Sequence, residues 1–253
     1  MLVAKKLCIH YPDQGPFEMG PLDFEVEEGA FCLVLGRNGS GKTTLLRAIY
    51  GLLRTTGSLK LGDIDLLSGS VERRRQYMAW IGDEQWCEPS MSTEDNLTYL
   101  LELYPEFDRK RFDRFLEDFG ISELDLKRPY DVLSSTQKSY VKTAFALARK
   151  PKLLLIDELT TAMELKVRLN WLEKIHAHAK SEQMVVLLST HDLDYLRNMA
   201  DRVILLEHGK LLACERADEP ARSVAMKRAR LMFRTMSPGE EETYWAGKDG
   251  PGL

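Results

Sequence analysis

The sequence predicts an α/β fold: a parallel sheet with crossover helices, an N-terminal antiparallel β region, and an α-helical subdomain inserted between two β-containing blocks. Three observations carry this reading. Continuous apolar runs of strand length recur at 31–35, 152–156 and 185–188, the pattern of strands covered on both faces. A helical stretch, 166–179, lies between the last two runs, and strand–helix–strand on that scale implies parallel pairing. From about 90 to 148 the apolar spacing turns helical throughout, as an inserted subdomain would.

The elements follow in order. Residues 2–9 are strand-like, 22–26 alternate apolar and acidic residues, and Glu28-Gly29 marks a turn before the apolar run 31–35. After a glycine-rich loop, 43–53 places Leu45, Leu46, Ile49 and Leu53 at helical spacing, and 57–67 reads as a return hairpin about Gly62-Asp63. Thr93 opens a helix start, Thr-Glu-Asp-Asn-Leu, and 109–119 puts Phe112, Phe115, Leu116 and Phe119 on one face. The tail after Cys214 changes character: helix-compatible to about Met236, then Pro238, Gly239 and acidic 240–242, with a Gly/Pro-rich end expected to fray.

With 253 residues, 44% hydrophobic and 29% charged, the chain suits one well-buried domain with a small inserted unit. A net charge of -4 gives no general electrostatic case for nucleic acid, and no nucleic-acid partner is expected. No apolar run approaches the ~20 residues that span a bilayer. Lys5 and Lys6 precede no long apolar core, so a secretory signal is not expected either. Cys8, Cys32, Cys87 and Cys214 form no Cys-x-x-Cys pair and share no metal-ligand spacing with the histidines. A reducing, cytoplasmic setting fits that usage.

The chemistry begins at Gly36-Arg37-Asn38-Gly39-Ser40-Gly41-Lys42-Thr43, followed by Thr44, which satisfies G-x-x-x-x-G-K-[ST] between a strand and a helix. Glycines let consecutive N–H groups curl toward phosphate oxygens at a helix N-terminus. Lys42 would face the β- and γ-phosphates, and the Thr43 hydroxyl would ligate Mg²⁺. The apolar run 152–156 ends in Asp157 and Glu158, carboxylates at the strand end that borders the ligand crevice of an open α/β sheet. Asp157 would hold Mg²⁺, usually through water, while Glu158 would polarise the attacking water. The run 185–188 continues into Ser189, Thr190 and His191, delivering an imidazole to the same edge to bond the γ-phosphate and that water.

Together these residues resemble the nucleotide-binding subunit of an ATP-binding cassette (ABC) ATPase, over about residues 2–213, with 90–148 as its helical subdomain and 214–253 as an extension. The resemblance implies ATP and Mg²⁺ as cofactors and Tyr11 as the aromatic that stacks on adenine. It also implies that Leu133-Ser134-Ser135-Thr136-Gln137 stands where the family has Leu-Ser-Gly-Gly-Gln. Such a signature closes over ATP on a partner, so the working unit would be a head-to-tail dimer, homo- or heterodimeric. Transmembrane transporter subunits would be further partners, placing the chain at the cytoplasmic face of a membrane. A groove along 86–104, with Trp86, Met91, Leu97 and Tyr99, would receive them, ordinary subdomain core being the equal alternative for each of these residues. The other reading is a soluble ABC ATPase outside transport, a regulatory or mechanochemical module.

The sequence departs from the family pattern at specific positions. Ser135 and Thr136 replace the signature glycines, where side chains would crowd the partner's phosphate and a β-branched residue would tolerate positive φ poorly. Leu159 stands where Pro is usual, and Glu164 where Asp is usual. The glutamine expected to sense Mg²⁺ falls at Gln85 counted from Gly82, although counting from Asn96 favours Glu84. What the chain supplies to its own nucleotide is intact, and what it supplies across a dimer is altered. That contrast implies a heterodimer or an unusual homodimer. In the tail, Lys227-Arg228-Ala229-Arg230 with Leu231, Met232, Phe233 and Arg234 makes a basic amphipathic patch, read first as a solvated helix packed on the core and second as a lipid or partner contact.

Overall fold

The computed structural model describes residues 1–10, 18–82, 86–157, 163–190 and 199–217. The chain opens with β1 (Leu2–His10) and β2 (Glu18–Val26), then β3 (Phe31–Leu35), α1 (Lys42–Ile49), β4 (Arg54–Leu61), β5 (Ile64–Asp65), the one-turn α2 (Val71–Arg75) and β6 (Met78–Ile81). The helical stretch follows as α3 (Thr93–Leu103), α4 (Arg109–Asp118), a 3₁₀ turn (Tyr130–Val132) and α5 (Ser135–Ala148). The chain returns to β7 (Leu153–Ile156), α6 (Leu165–Glu182), β8 (Val185–Thr190), β9 (Arg202–Glu207) and β10 (Lys210–Arg216).

These strands make two sheets. An antiparallel one has order β2-β1-β4-β5, and a larger one has order β10-β9-β3-β8-β7-β6. In the larger sheet β9, β3, β8, β7 and β6 run parallel, and among the described strands the edge strand β10 alone is antiparallel. Strands β3, β7 and β8 are buried along their whole length, which explains the apolar runs they carry, in β8 as far as Leu188. Alternate residues feed two separate cores. Cys32, Val34, Leu153, Leu155, Val185 and Leu187 pack with Leu45, Leu46 and Ile49 of α1 and with the antiparallel sheet. Phe31, Leu33, Leu154, Ile156, Val186 and Leu188 pack on the other face with α5 and α6.

Each inserted helix starts on a side-chain cap. Ser92 accepts from the Asp95 N–H, Asp108 from those of Lys110 and Arg111, and Ser134 from that of Gln137. On α4, Phe112 and Leu116 are buried, Phe119 at its end is buried, and Phe115 is half-buried. Helix α5 binds to α6 through a buried relay in which Trp171 Nε1 donates to Thr143 Oγ1 (3.0 Å) and Thr143 Oγ1 donates to the Ser139 carbonyl (2.7 Å).

The structure corrects several boundaries. The helix expected over 43–53 ends at Ile49, because the chain turns through Gly51 at φ 86 and enters β4 at Arg54. Strands β6 and β9 are additions to the expected elements: both carry short apolar runs, 78–81 and 203–206, and β6 takes its place by its parallel register with β7. Strand β10 runs through Cys214 to Arg216, past the expected boundary at 213. Ala217 is buried, its N–H donating to the Asp201 carbonyl (2.8 Å). Edge strands carry polar residues such as Glu215 and Arg216, and that polarity resembled a tail.

Candidate nucleotide site

Because β3, β7 and β8 are parallel neighbours, their C-terminal ends share one sheet edge. The alternation that puts Leu153 and Leu155 under α1 carries Asp157 to the same side, and Leu187 carries Ser189 there likewise. The result is a three-membered contact. Thr43 Oγ1 donates to Asp157 Oδ1 at 3.0 Å, and Ser189 Oγ donates to that same oxygen at 2.7 Å. The Asp157 backbone is fixed as well, its N–H donating to the Ile81 carbonyl of β6 (2.8 Å).

The glycine-rich loop is anchored from outside. The Gly209 N–H, in the β9–β10 turn, donates to the Ser40 carbonyl (3.0 Å), and the Gly20 N–H of β2 donates to the Gly209 carbonyl (3.1 Å). Close approach decides its composition. A Cβ on Gly36 would lie 2.3 Å from Ser40 Oγ and 2.5 Å from the Leu206 carbonyl. Gly41 is the α1 N-cap with φ 104, a conformation that favours glycine, and a Cβ there would press on Met19 Sδ at 3.0 Å. Arg37, Asn38 and Gly39 form the exposed crest, while Lys42 is buried at 5% exposure with Nζ donating to the carbonyls of Gly36 (3.0 Å) and Arg37 (3.4 Å). Thr44 lies half-buried in the first turn.

This end of α1 suits an anion. No side chain caps it and no acidic residue occupies its first turn, so its leading N–H groups and positive dipole end are left to a ligand. Among the described residues, Ser40 Oγ is buried with no hydrogen-bond partner, an expensive arrangement unless an external acceptor meets it. A buried lysine beside an uncapped helix end offers phosphate both charge and directed donors. The donor set beside it fits a hard cation: the Thr43 hydroxyl and the Asp157 carboxylate already meet, and magnesium takes few, oxygen-only protein ligands.

The second group of expected residues lies elsewhere. Ser134, Ser135, Thr136 and Gln137 open α5, whose body packs in the core on the opposite face of the sheet from α1. Ser134 and Gln137 form a reciprocal capping box, with the Ser134 N–H donating to Gln137 Oε1 (2.9 Å) and the Gln137 N–H to Ser134 Oγ (3.2 Å). The expectation of positive φ at the substituted glycines is overturned. Ser135 and Thr136 are the first residues of the helix, and the described non-glycine residues with positive φ are Lys6, Lys150, Gln183 and His208. Ser134 and Ser135 are exposed, and Glu164, exposed as well, stands at the N-cap of α6 without a side-chain cap bond.

The expected partner groove divides. Leu97 is core at 1% exposure, so its assignment to the groove was wrong: helical spacing carried it inward, whereas Tyr99, at 62%, and Leu103, at 58%, point outward. Trp86 is half-buried, donating from Nε1 to Tyr130 Oη (3.0 Å) and packing on Phe145. Tyr11, Glu84, Gln85, Glu158, Leu159, His191 and the basic stretch 227–234 lie outside the described residues. Ser189 had no assigned role in the sequence. Its signal was parity, two residues beyond Leu187 on the side that also receives Asp157.

Comparison with known proteins follows the same lines. A family model described as "ABC transporter" matches residues 19–161. A sulfate/thiosulfate import ATP-binding protein of Shewanella oneidensis is 32% identical over 231 residues, which is 87% of this chain and 59% of the relative. An energy-coupling factor transporter ATP-binding protein of Streptococcus agalactiae is 31% identical over 206 residues, covering 79% of this chain and 72% of that one. A phosphonates import ATP-binding protein of Hyphomonas neptunium is 29% identical, covering 78% and 80%. Among solved structures, an ATP-binding subunit of an ABC transporter superposes with TM-score 0.75 at 23% identity, covering 97% of this chain and 99% of its own. A dimeric ATP-binding cassette in a post-hydrolysis state with ADP and Pi gives 0.71 at 23%, covering 86% and 99%. The chain thus spans about three-fifths of the Shewanella relative's length.

Proposed function

This chain belongs to the ABC transporter family, and from that premise we propose that it is the ATP-binding and ATP-hydrolysing subunit of a membrane transporter, driven by ATP-dependent closure of a dimer. The observation that carries the reading is the meeting of Thr43 and Asp157 at the mouth of the glycine-rich loop. It joins a phosphate cradle to a carboxylate from a different strand, at the edge where α/β sheets bind ligands.

The chain's residues divide the work. The N–H groups opening α1 and the Ser40 hydroxyl bind phosphate oxygens, and Lys42 exchanges two neutral carbonyls for anionic acceptors, a stronger pairing. Tyr11 stacks on the adenine. Thr43 and Asp157 are the residues that would hold magnesium, which when bound neutralises charge on the transferring phosphoryl group, and Gln85 would add a further contact. Glu158 orients and polarises the attacking water, and His191 bonds the γ-phosphate. These are contacts that strengthen as charge develops, so they lower the barrier rather than merely tightening binding.

Output requires partners. A second nucleotide-binding subunit would present its signature to this chain's ATP, and Ser134, Ser135, Thr136 and Gln137 would serve the partner's. Among the described residues no helix is long and apolar enough to cross a membrane, so transport is assigned to separate transmembrane subunits. Met91, Tyr99 and Leu103, exposed on and before α3, are the apolar contacts for them, holding the chain at the cytoplasmic face. Relatives named for cargoes as different as sulfate and phosphonates align with this chain, so its shared part carries ATP chemistry and not cargo choice. The ATPase unit is assigned to 1–213 extended through the end of β10, with the remaining tail as an extension.

The test is Mg²⁺-dependent phosphate release by the full chain, with Glu158→Gln and Lys42→Ala as controls. Turnover that falls at least about a hundredfold in Glu158→Gln is the expected result. Tight ATP binding without turnover places the missing element in a partner signature. A chain that neither binds nor hydrolyses ATP, or whose turnover survives both substitutions, sinks the proposal.

A further inference from the structure

Strand β8 is apolar along Val185, Val186, Leu187 and Leu188, and then places a hydroxyl at Ser189 with 0% exposure. A buried hydroxyl is costly unless it is hydrogen-bonded, and an alanine or valine would suit the strand better. Ser189 Oγ donates to Asp157 Oδ1 at 2.7 Å, shorter than the 3.0 Å from Thr43 Oγ1 to that same oxygen. The backbone behind Ser189 is held in register, opposite Val34 of β3. Ser189 is thus the donor on the rigid side of Asp157, on a strand within the sheet. Thr43 is the donor on the loop side, half-buried at the first turn of a helix.

We infer that Ser189 is a positioning residue for the magnesium-side carboxylate: its hydroxyl fixes the place and rotation of Asp157, so that magnesium binds a carboxylate already oriented. The inference rests on the ATPase reading above and deepens it. Two donors converging from different elements define a carboxylate's orientation, whereas one leaves it able to swing about its Cβ–Cγ bond. The Thr43 oxygen is itself expected to ligate the cation, and this makes it the less constant of the two holds. Ser189 touches neither nucleotide nor phosphate in this scheme and acts through Asp157.

The experiment uses the full chain and a fluorescent ATP analogue, titrated first in EDTA and then with magnesium. In the wild type, magnesium should tighten nucleotide binding with a defined half-saturating concentration. Ser189→Ala should raise that concentration about tenfold, the scale of one lost charge-assisted hydrogen bond. Its affinity in EDTA should stay within about twofold, since the cradle is untouched. Ser189→Thr, which keeps the donor, should return the half-saturation toward wild type, a rescue that a purely packing role would not give. If Ser189→Ala fails to fold by circular dichroism, Ser189→Cys preserves volume with a weak donor and makes the same comparison. A wild-type chain whose nucleotide affinity ignores magnesium would overturn the ATPase reading and this inference together. A normal wild-type response with an unchanged Ser189→Ala half-saturation overturns this inference alone.

Discussion

Helices α1 and α5 both open where phosphate chemistry is expected, and they open in opposite ways. The start of α1 has a left-handed glycine for an N-cap, no side-chain cap and no acid in its first turn, with a buried lysine beside it and a buried serine hydroxyl that has no partner among the described residues. The start of α5 is closed on itself, Ser134 and Gln137 each satisfying the other's backbone. An uncapped helix end forgoes about 1 kcal/mol that a cap supplies, and the omission is understandable where a ligand takes the cap's place. At α5 the cap is kept, and the two positions next to it carry hydroxyl side chains instead of bare backbone. One end is left open to an anion, and the other is already capped by its own side chains. The cap itself is made by Ser134 and Gln137, the two positions that keep the family's residue types, so the alteration at this end is confined to Ser135 and Thr136.

The largest expected effect breaks the α1 side. Gly36→Ala drives a Cβ into Ser40 Oγ and the Leu206 carbonyl, one of them immovable backbone. Overpacking of this kind costs about 1–3 kcal/mol, and the loop can relieve it only by opening the cradle. Thermal unfolding should show the loss, and titration with a fluorescent nucleotide should show binding abolished. Gly39→Ala is the matched control: a Cβ there meets nothing within 4 Å, though φ is 81, so strain without collision should cost about 1 kcal/mol and leave measurable binding.

The next effects sharpen the α5 side. Replacing both Ser135 and Thr136 by glycine removes the side chains nearest the cap. If these crowd a partner's phosphate, turnover by the assembled dimer should rise about tenfold, the recovery of one charge-assisted contact. Steady-state ATPase assays decide it: unchanged turnover means the hydroxyls already serve, and the asymmetry idea falls. Ser134→Ala is smaller and purely local. It should lower stability by about 1 kcal/mol while leaving the isolated chain's nucleotide affinity alone. A fall in that affinity would mean the two helix starts are coupled within one chain.

The legibility of the molecule followed the same division. Buried parallel strands announce themselves, because being covered on both faces demands an apolar run, and 31–35 matched β3 residue for residue. Strand β6, an apolar run of four residues, was passed over although β7 is just as short, and the end of β10 was hidden by the polarity of a sheet edge. At the candidate site, the loop glycines, Lys42, Thr43 and Asp157 stood out in the sequence because phosphate chemistry prescribes such residue types. The Thr43–Asp157 contact links residues 114 apart, and only the sheet order brings them together. Ser189 was hidden because serine at a strand end has many uses, and register singles this one out. The expected strain at Thr136 failed since the chain places helix, not a turn, at that position.

The smallest effect concerns pH, and it too separates the two sides. Helix α5 packs against α4, and α4 meets the core helix α6 through a polar seam. Arg111 pairs with Glu182 (3.3 Å) and approaches His178 Nε2 (3.4 Å), while the Phe115 ring stands edge-on to His178 at 4.9 Å. Burial holds His178 below the usual imidazole range. Glu182 and Asp118 oppose that shift, and Arg111 and Arg114 reinforce it. With its folded pKa depressed, the histidine stays neutral while the unfolded chain takes up a proton near pH 6.5. The unfolded state then binds more protons, so stability falls as pH drops through about 6.5 and levels off only below the folded pKa. Thermal midpoints measured between about pH 8 and pH 5.5 should decline, and His178→Gln should flatten the slope. His176, also held down by burial, adds a slope of the same sign. Because the seam supports α5 and not α1, nucleotide affinity measured over the same range should change less than the midpoint does. Equal sensitivity of both would mean that the helical insert and the phosphate cradle respond as one body.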